Sequence, residues 1–219
     1  MNRLVIYFLF LTIYVEGLGQ DAPPFWNDIQ KFKSGDAISP LPIAPILFVG
    51  SSSFTLWKNL SDAFPGRPVL NRAFGGSSLP DLIRYAYDVV LPYRPKQVVI
   101  YCGENDLAAS PNVTSEEVLK RLRTFFEIIR INLPGTKISF VAMKPSPSRA
   151  AIQERVIVAN NLIRNFLEGQ RNTSYIDVYP AMLDDKGNFR RELFLQDMLH
   201  MNQEGYAIWK RLIEPHLLQ

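Results

Sequence analysis

Ile46-Leu47-Phe48-Val49-Gly50-Ser51-Ser52-Ser53-Phe54 is the stretch on which the fold turns. Its apolar run of four, ended by a glycine, reads as a short buried strand. Three serines follow, the composition of a tight turn from strand to helix. The chain repeats this rhythm downstream. Val69-Leu70-Asn71, Gln97 to Cys102, Lys137 to Met143 and Ser174 to Val178 are the other strand candidates. Helical spacing falls between them. Leu79 to Leu91 has Pro80 in its first turn, where a missing N–H costs little. The capping box Thr114-Ser115-Glu116-Glu117 opens a helix to about Leu133. Ser148 to Leu167 is helical by its apolar spacing, and Gln203 to Leu218 follows the N-cap candidate Asn202. Ahead of the first strand, Phe25 to Lys33 predicts a short amphipathic helix, and Pro40, Pro42 and Pro45 a stiff lead-in. Strands alternating with helices predict an α/β fold: a mostly parallel five-stranded sheet covered on both faces.

In such sheets ligands bind beyond the carboxyl ends of the strands. Four segments there carry chemistry. In Gly50-Ser51-Ser52-Ser53, a serine on the turn exposes its hydroxyl and sets its N–H near a helix start. That suits a nucleophile that also donates to an oxyanion, and equally a helix N-cap. The paired glycines of Asn71-Arg72-Ala73-Phe74-Gly75-Gly76-Ser77-Ser78 can turn N–H groups towards an anion, or simply make a tight turn. A phosphate loop does not fit, because no Gly-Lys-Ser/Thr follows and the glycine spacing is not that of a dinucleotide fingerprint. In Gly103-Glu104-Asn105-Asp106, the Asn amide can donate to a developing negative charge or cap a turn. In Asp197-Met198-Leu199-His200, a short turn can aim the carboxylate at one ring nitrogen and leave the other for a serine. The chain holds only two histidines. A general base near neutral pH is most often a histidine. His216, beside Pro215 in the last helix, reads as a surface residue.

Taken together and in this order, the four segments resemble the SGNH (GDSL-like) hydrolase family, in a Gly-Ser-Ser-Ser branch. The family marks are a Ser in a Gly-Asp-Ser block, a Gly, an Asn in Gly-X-Asn-Asp and a His in Asp-X-X-His. They fall on Ser52, Gly76, Asn105 and His200, with Asp197 as the triad acid, over roughly Pro45 to Leu218. Two positions depart from the pattern: Ser51 stands in place of the usual Asp, and Ala73 where relatives often carry Gly. The resemblance implies a three-layer α/β/α, flavodoxin-like fold. It also implies a serine esterase working through an acyl-enzyme, with Ser52, Asp197 and His200 catalytic and Ser52, Gly76 and Asn105 forming the oxyanion hole. No metal or other cofactor is expected, and no His/Cys cluster has ligand spacing. The expected substrates are short-chain, chiefly acetyl, esters on carbohydrates or small molecules. Lys144 to Arg149 can line the pocket. Phe54, Trp57 and Phe74 are either an apolar wall or core. Two rival readings keep this fold: an O-acetyltransferase with the same triad, and a non-catalytic carbohydrate-binding protein.

The ends and the composition bound the rest. The 219 residues are 47% hydrophobic and 21% charged, enough for one domain with a sizeable core. A net charge of +3, with no dense basic cluster, argues against nucleic-acid binding. Met1-Asn2-Arg3, the 12-residue apolar run Leu4 to Val15 and the small residues to Gly19 predict a signal peptide over 1–20. The run is too short for the ~20 residues of a membrane span. A tail with the short helix (21–44) and a hydrolase domain (45–219) follow, in a secreted or periplasmic protein without a stable membrane anchor. Cys102 is the single cysteine and has no partner for an intramolecular disulfide.

Overall fold

A computed structural model describes residues 22–219. The expected signal peptide lies outside the described residues. Five strands form one sheet: β1 (Ile46–Gly50), β2 (Val69–Asn71), β3 (Gln97–Tyr101), β4 (Lys137–Val141) and β5 (Thr173–Ile176). All neighbours pair in parallel, in the order β2-β1-β3-β4-β5. That is the flavodoxin-like order, and its direction reverses at the boundary between β1 and β3. The expected α/β/α fold is therefore observed. Its crevice opens where β1 runs into the serine turn and β3 into Gly103-Glu104-Asn105.

The helices are α1 (Trp26–Ile38), α2 (Ser52–Thr55), α3 (Leu60–Ala63), α4 (Leu79–Arg84), α5 (Ala86–Val89), α6 (Glu104–Ala109), α7 (Ser115–Asn132), α8 (Gln153–Glu168) and α9 (Gln203–Ile213). Side chains alternate across each strand, so β1 feeds two cores. Leu47 and Val49 join Leu82 of α4, Phe125 of α7 and Ile163 of α8 on one face. Ile46 and Phe48 join Phe54 of α2, Leu60 of α3 and Trp209 of α9 on the other. A sheet buried on both faces explains why the strands read as unbroken apolar runs.

Four helices differ from the sequence expectation, the first three through tertiary contacts and the last for a local reason. The first runs to Ile38, beyond Lys33. It is held to the sheet by buried Ile29 and by Asp36, which pairs with Arg72 and accepts from the Tyr93 hydroxyl. The expected helix Leu79 to Leu91 breaks at Tyr85 (φ −101°, ψ 12°). The Tyr85 ring packs edge-on against Phe74, and its hydroxyl donates to Pro24 O at 2.6 Å. Instead of starting as α-helix at Ser148, the chain makes a 3-10 segment over Pro147–Ile152 before α8. The last helix gives way to a 3-10 turn at Glu214–His216, where Pro215 has no N–H to continue it. The N-caps are as expected, Thr114 accepting from Glu117 N and Asn202 from Glu204 N and Gly205 N, but the capping box is only half made: the Glu117 carboxylate turns to Arg121 instead of back to Thr114 N.

Candidate active site

Gly50 makes the serine turn possible. Its φ is +137°, and an added Cβ would lie 1.9 Å from Tyr101 O. Only a residue without a side chain lets β1 turn this close to β3. Ser51 N then donates to Tyr101 O at 3.0 Å, and Ser51 O accepts from Phe54 N and Thr55 N. Ser51 and Ser53 are buried beneath the turn. Ser52, partly exposed between them, faces outward at the start of α2.

The hydroxyl of Ser52 meets His200. Ser52 Oγ lies 3.0 Å from His200 Nε2, and His200 Nδ1 lies 2.6 Å from Asp197 Oδ2. The turn carrying both partners is held by the carboxylate itself: Asp197 Oδ1 accepts from Leu199 N at 3.0 Å and His200 N at 2.9 Å. Burial alone would raise the Asp197 pKa. The two backbone N–H groups and the imidazole outweigh it and hold the carboxyl down to about 2. Asp197 is thus a carboxylate throughout the physiological range. The other histidine sits at the opposite end of the sheet, where Gln97 and Lys137 donate to His216 O. It is half-buried rather than the surface residue expected.

The glycine loop closes on the same spot. Phe74 N and Ser77 Oγ both donate to Gly50 O at 3.0 Å, which fixes the loop to the end of β1. Gly76 has φ +85°, in the left-handed region that favours glycine. Ala73 has no positive φ, so the methyl group found where relatives often carry Gly is accommodated. Among the described residues, neither Ser52 N–H nor Gly76 N–H has a protein acceptor. Asn105 Nδ2 donates to Ser77 O at 2.9 Å, which ties α6 to the loop and leaves its second amide hydrogen free of that bond. Asp106, next in the chain, accepts from Leu79 N at 3.0 Å and Arg121 at 2.8 Å, although burial raises its pKa.

The sequence profile of the GDSL-like lipase/acylhydrolase family matches residues 48–208, well over half of the chain and every segment just described. The chain belongs to this family. It is accordingly a carboxylic ester hydrolase. No curated protein matches the chain in sequence. Solved structures share its fold. A proposed platelet activating factor from Streptococcus pneumonia has 19% identity and TM-score 0.76, covering 88% of this chain and 92% of its own. A proposed acylhydrolase from Bacteroides fragilis has 20% identity and TM-score 0.75, covering 87% and 96%. A single-site variant of an acetyl-xylooligosaccharide esterase from Geobacillus Stearmophilus has 16% identity and TM-score 0.65, covering 79% and 93%.

Beneath the site, this acylhydrolase carries a buried ionic cluster that sequence reasoning missed, although Glu104 lies inside the Gly103-Glu104-Asn105-Asp106 block. Glu104 of α6 receives Lys144 at 3.0 Å and the Tyr101 hydroxyl at 2.6 Å on one oxygen, and the Ser146 hydroxyl at 2.7 Å on the other. Burial would raise its pKa. Lys144 first, then Arg149, Tyr101 and Ser146, hold it below the ordinary carboxylate value. Burial lowers the pKa of Lys144. The segment expected to line the pocket is thus mainly a support: Lys144 and Ser146 are buried, and Arg149 reaches the site with its side chain. Phe54 and Phe74 are core. Trp57, buried and 5.0 Å from the Tyr206 ring, edges a groove of about 620 Å³ with Leu56, Leu195 and Met201. That groove flanks the Asp197–His200 turn without being lined by Ser52, His200 or Asn105. Among the described residues there is no cluster of three potential metal ligands, and no helix is long and apolar enough to cross a membrane.

Proposed function

We propose that this acylhydrolase is an exported serine esterase for short-chain, chiefly acetyl, esters on carbohydrates or small molecules. The observation that carries the mechanism is the chain of contacts from Ser52 through His200 to Asp197, at 3.0 and 2.6 Å. His200 Nε2 takes the Ser52 proton as Oγ attacks the ester carbonyl. Asp197 fixes the tautomer with the proton on Nδ1 and stabilises the imidazolium that forms. The carbonyl oxygen, now anionic, is met by the N–H groups of Ser52 and Gly76 and by the Asn105 amide. Losing one such donor typically costs about 100- to 1,000-fold in rate. His200 then protonates the departing alcohol. Water, activated by the same imidazole, releases the acid and regenerates Ser52.

Short acyl chains are supported by the short connections after β1 and β3, the two strands between which the crevice opens. α2 starts two residues after β1 ends, and α6 starts three residues after β3 ends. The likeness in fold to an acetyl-xylooligosaccharide esterase agrees with that size. Export rests on the N-terminal sequence, with its short positive start and apolar run. With p-nitrophenyl esters, the specificity constant is expected to fall by roughly tenfold or more from acetyl to octanoyl. Added acetyl-accepting sugars should leave the acyl group going to water. A rate that climbs with chain length would contradict the substrate size. Capture of the acyl group by sugar in preference to water would make the protein an O-acetyltransferase. No turnover of any ester would return it to a carbohydrate-binding role.

A further inference from the structure

Asn105 is the one oxyanion donor on a side chain, so its amide must be held the right way round to act. Its donor side is tethered by the 2.9 Å bond to Ser77 O. Its acceptor side is held by Arg149, whose Nη2 donates to Asn105 Oδ1 at 2.7 Å. We propose that Arg149 is a positioning residue for the oxyanion hole, locking the plane of the Asn105 amide and strengthening its free N–H as a donor. The inference rests on Asn105 acting as an oxyanion donor.

Three features of the fold favour it. A guanidinium has no acceptor, so an amide facing it must present its oxygen, and the NH2 group is forced towards Ser77 and the reacting centre. The bond is charge-assisted, and a cation on the amide oxygen draws electron density from the nitrogen. The guanidinium is in turn placed by the buried cluster. Its Nη1 is buried without a hydrogen-bond partner and lies 3.7 Å from Glu104 Oε1, within ion-pair range. The backbone is shaped for this reach. Arg149 leaves helical geometry (φ −117°, ψ 24°), which breaks the helix expected from Ser148 onward. One residue earlier, Ser148 N donates to Met198 O at 3.0 Å, in the turn between Asp197 and His200. The segment after β4 thus touches Asn105 at the start of α6 with one residue and the Asp197–His200 turn with its neighbour.

The test is a double-mutant cycle on p-nitrophenyl acetate with Arg149→Met, Asn105→Ala and the pair, each checked for cooperative thermal unfolding. Arg149→Met keeps an apolar stem of similar length and removes the charge and the donors. It is expected to lower kcat by about 10- to 100-fold with KM within about threefold. In the Asn105→Ala background, the same change should alter kcat by less than about twofold, because the group it positions is gone. A general structural defect would multiply with Asn105→Ala instead. If Arg149→Met does not fold, Arg149→Lys enters the same cycle. It keeps the charge but loses the planar fork, and should give a smaller fall in kcat that likewise vanishes without Asn105. If Asn105→Ala alone leaves kcat unchanged, the oxyanion reading of Asn105 fails. If Asn105→Ala lowers kcat while the Arg149 variants leave it unchanged, or lower it equally in both backgrounds, the positioning role of Arg149 is overturned.

Discussion

Ser52→Ala is expected to lower kcat for p-nitrophenyl acetate by roughly 10⁴- to 10⁶-fold while leaving the fold intact. The size of the effect follows from the roles proposed for Ser52, His200 and Asp197. Without Oγ there is no acyl-enzyme, and His200 can at best act on water from a position built for a serine. What survives is transition-state binding by the remaining donors. The stability cost should be small, because Oγ is partly exposed and, among the described residues, has His200 as its one hydrogen-bond partner. Ser51→Ala and Ser53→Ala provide the contrast. Both side chains are buried and neither faces the imidazole, so each should retain kcat within about tenfold of the parent. Stopped-assay kinetics with thermal melts on the three variants separate the cases. If Ser51→Ala or Ser53→Ala is the dead variant, the register is wrong.

Gly50→Ala should act on the fold rather than on the chemistry. The new Cβ would lie 1.9 Å from Tyr101 O and 2.7 Å from Tyr101 C, so it meets backbone rather than a movable side chain. The φ of +137° adds strain for any L residue. Neither β1 nor β3 can move aside, since both are central strands with partners on each edge. The expected cost exceeds about 4 kcal/mol, a large part of the ~5–15 kcal/mol that holds a domain together. Insoluble or non-cooperatively melting protein is the predicted result. A variant that melts within a few degrees of the parent would mean that the turn is looser than described.

These two glycine and serine positions mark how far the sequence could be read. The strands were legible because a sheet buried on both faces demands continuous apolar residues, as in Ile46 to Val49 and Gln97 to Cys102. Helix starts were legible where caps are local chemistry, as at Thr114 and Asn202. Two other boundaries were not, because partners distant in sequence decide them: Pro24 for the break at Tyr85, and Met198 for the 3-10 segment at Ser148. The candidate site divides in the same way. Ser52, Gly76, Asn105, Asp197 and His200 sit in short blocks whose residue types announce chemistry, and the fold brings these blocks together. Glu104 lies inside one of these blocks and Lys144 outside them all, and neither announces its partner. A Glu after one strand and a Lys after another become a buried pair only once β3 and β4 lie side by side, and no spacing rule connects residues 40 positions apart. Arg149 is hidden for the same reason, with its partner 44 positions away. The placement of Phe54 and Phe74 in the core, rather than on a pocket wall, also needed the packing of α2 and α4 on the sheet.

The central claim is that the Ser52 hydroxyl is activated by His200. Treatment with a serine-directed fluorophosphonate, followed by peptide mass spectrometry, reads that activation directly, since an unactivated serine does not react. One adduct per chain on the peptide holding Gly50 to Phe54, localised to Ser52 and lost in His200→Ala, is the predicted result. No adduct on the folded protein, or an adduct on another serine, would contradict it.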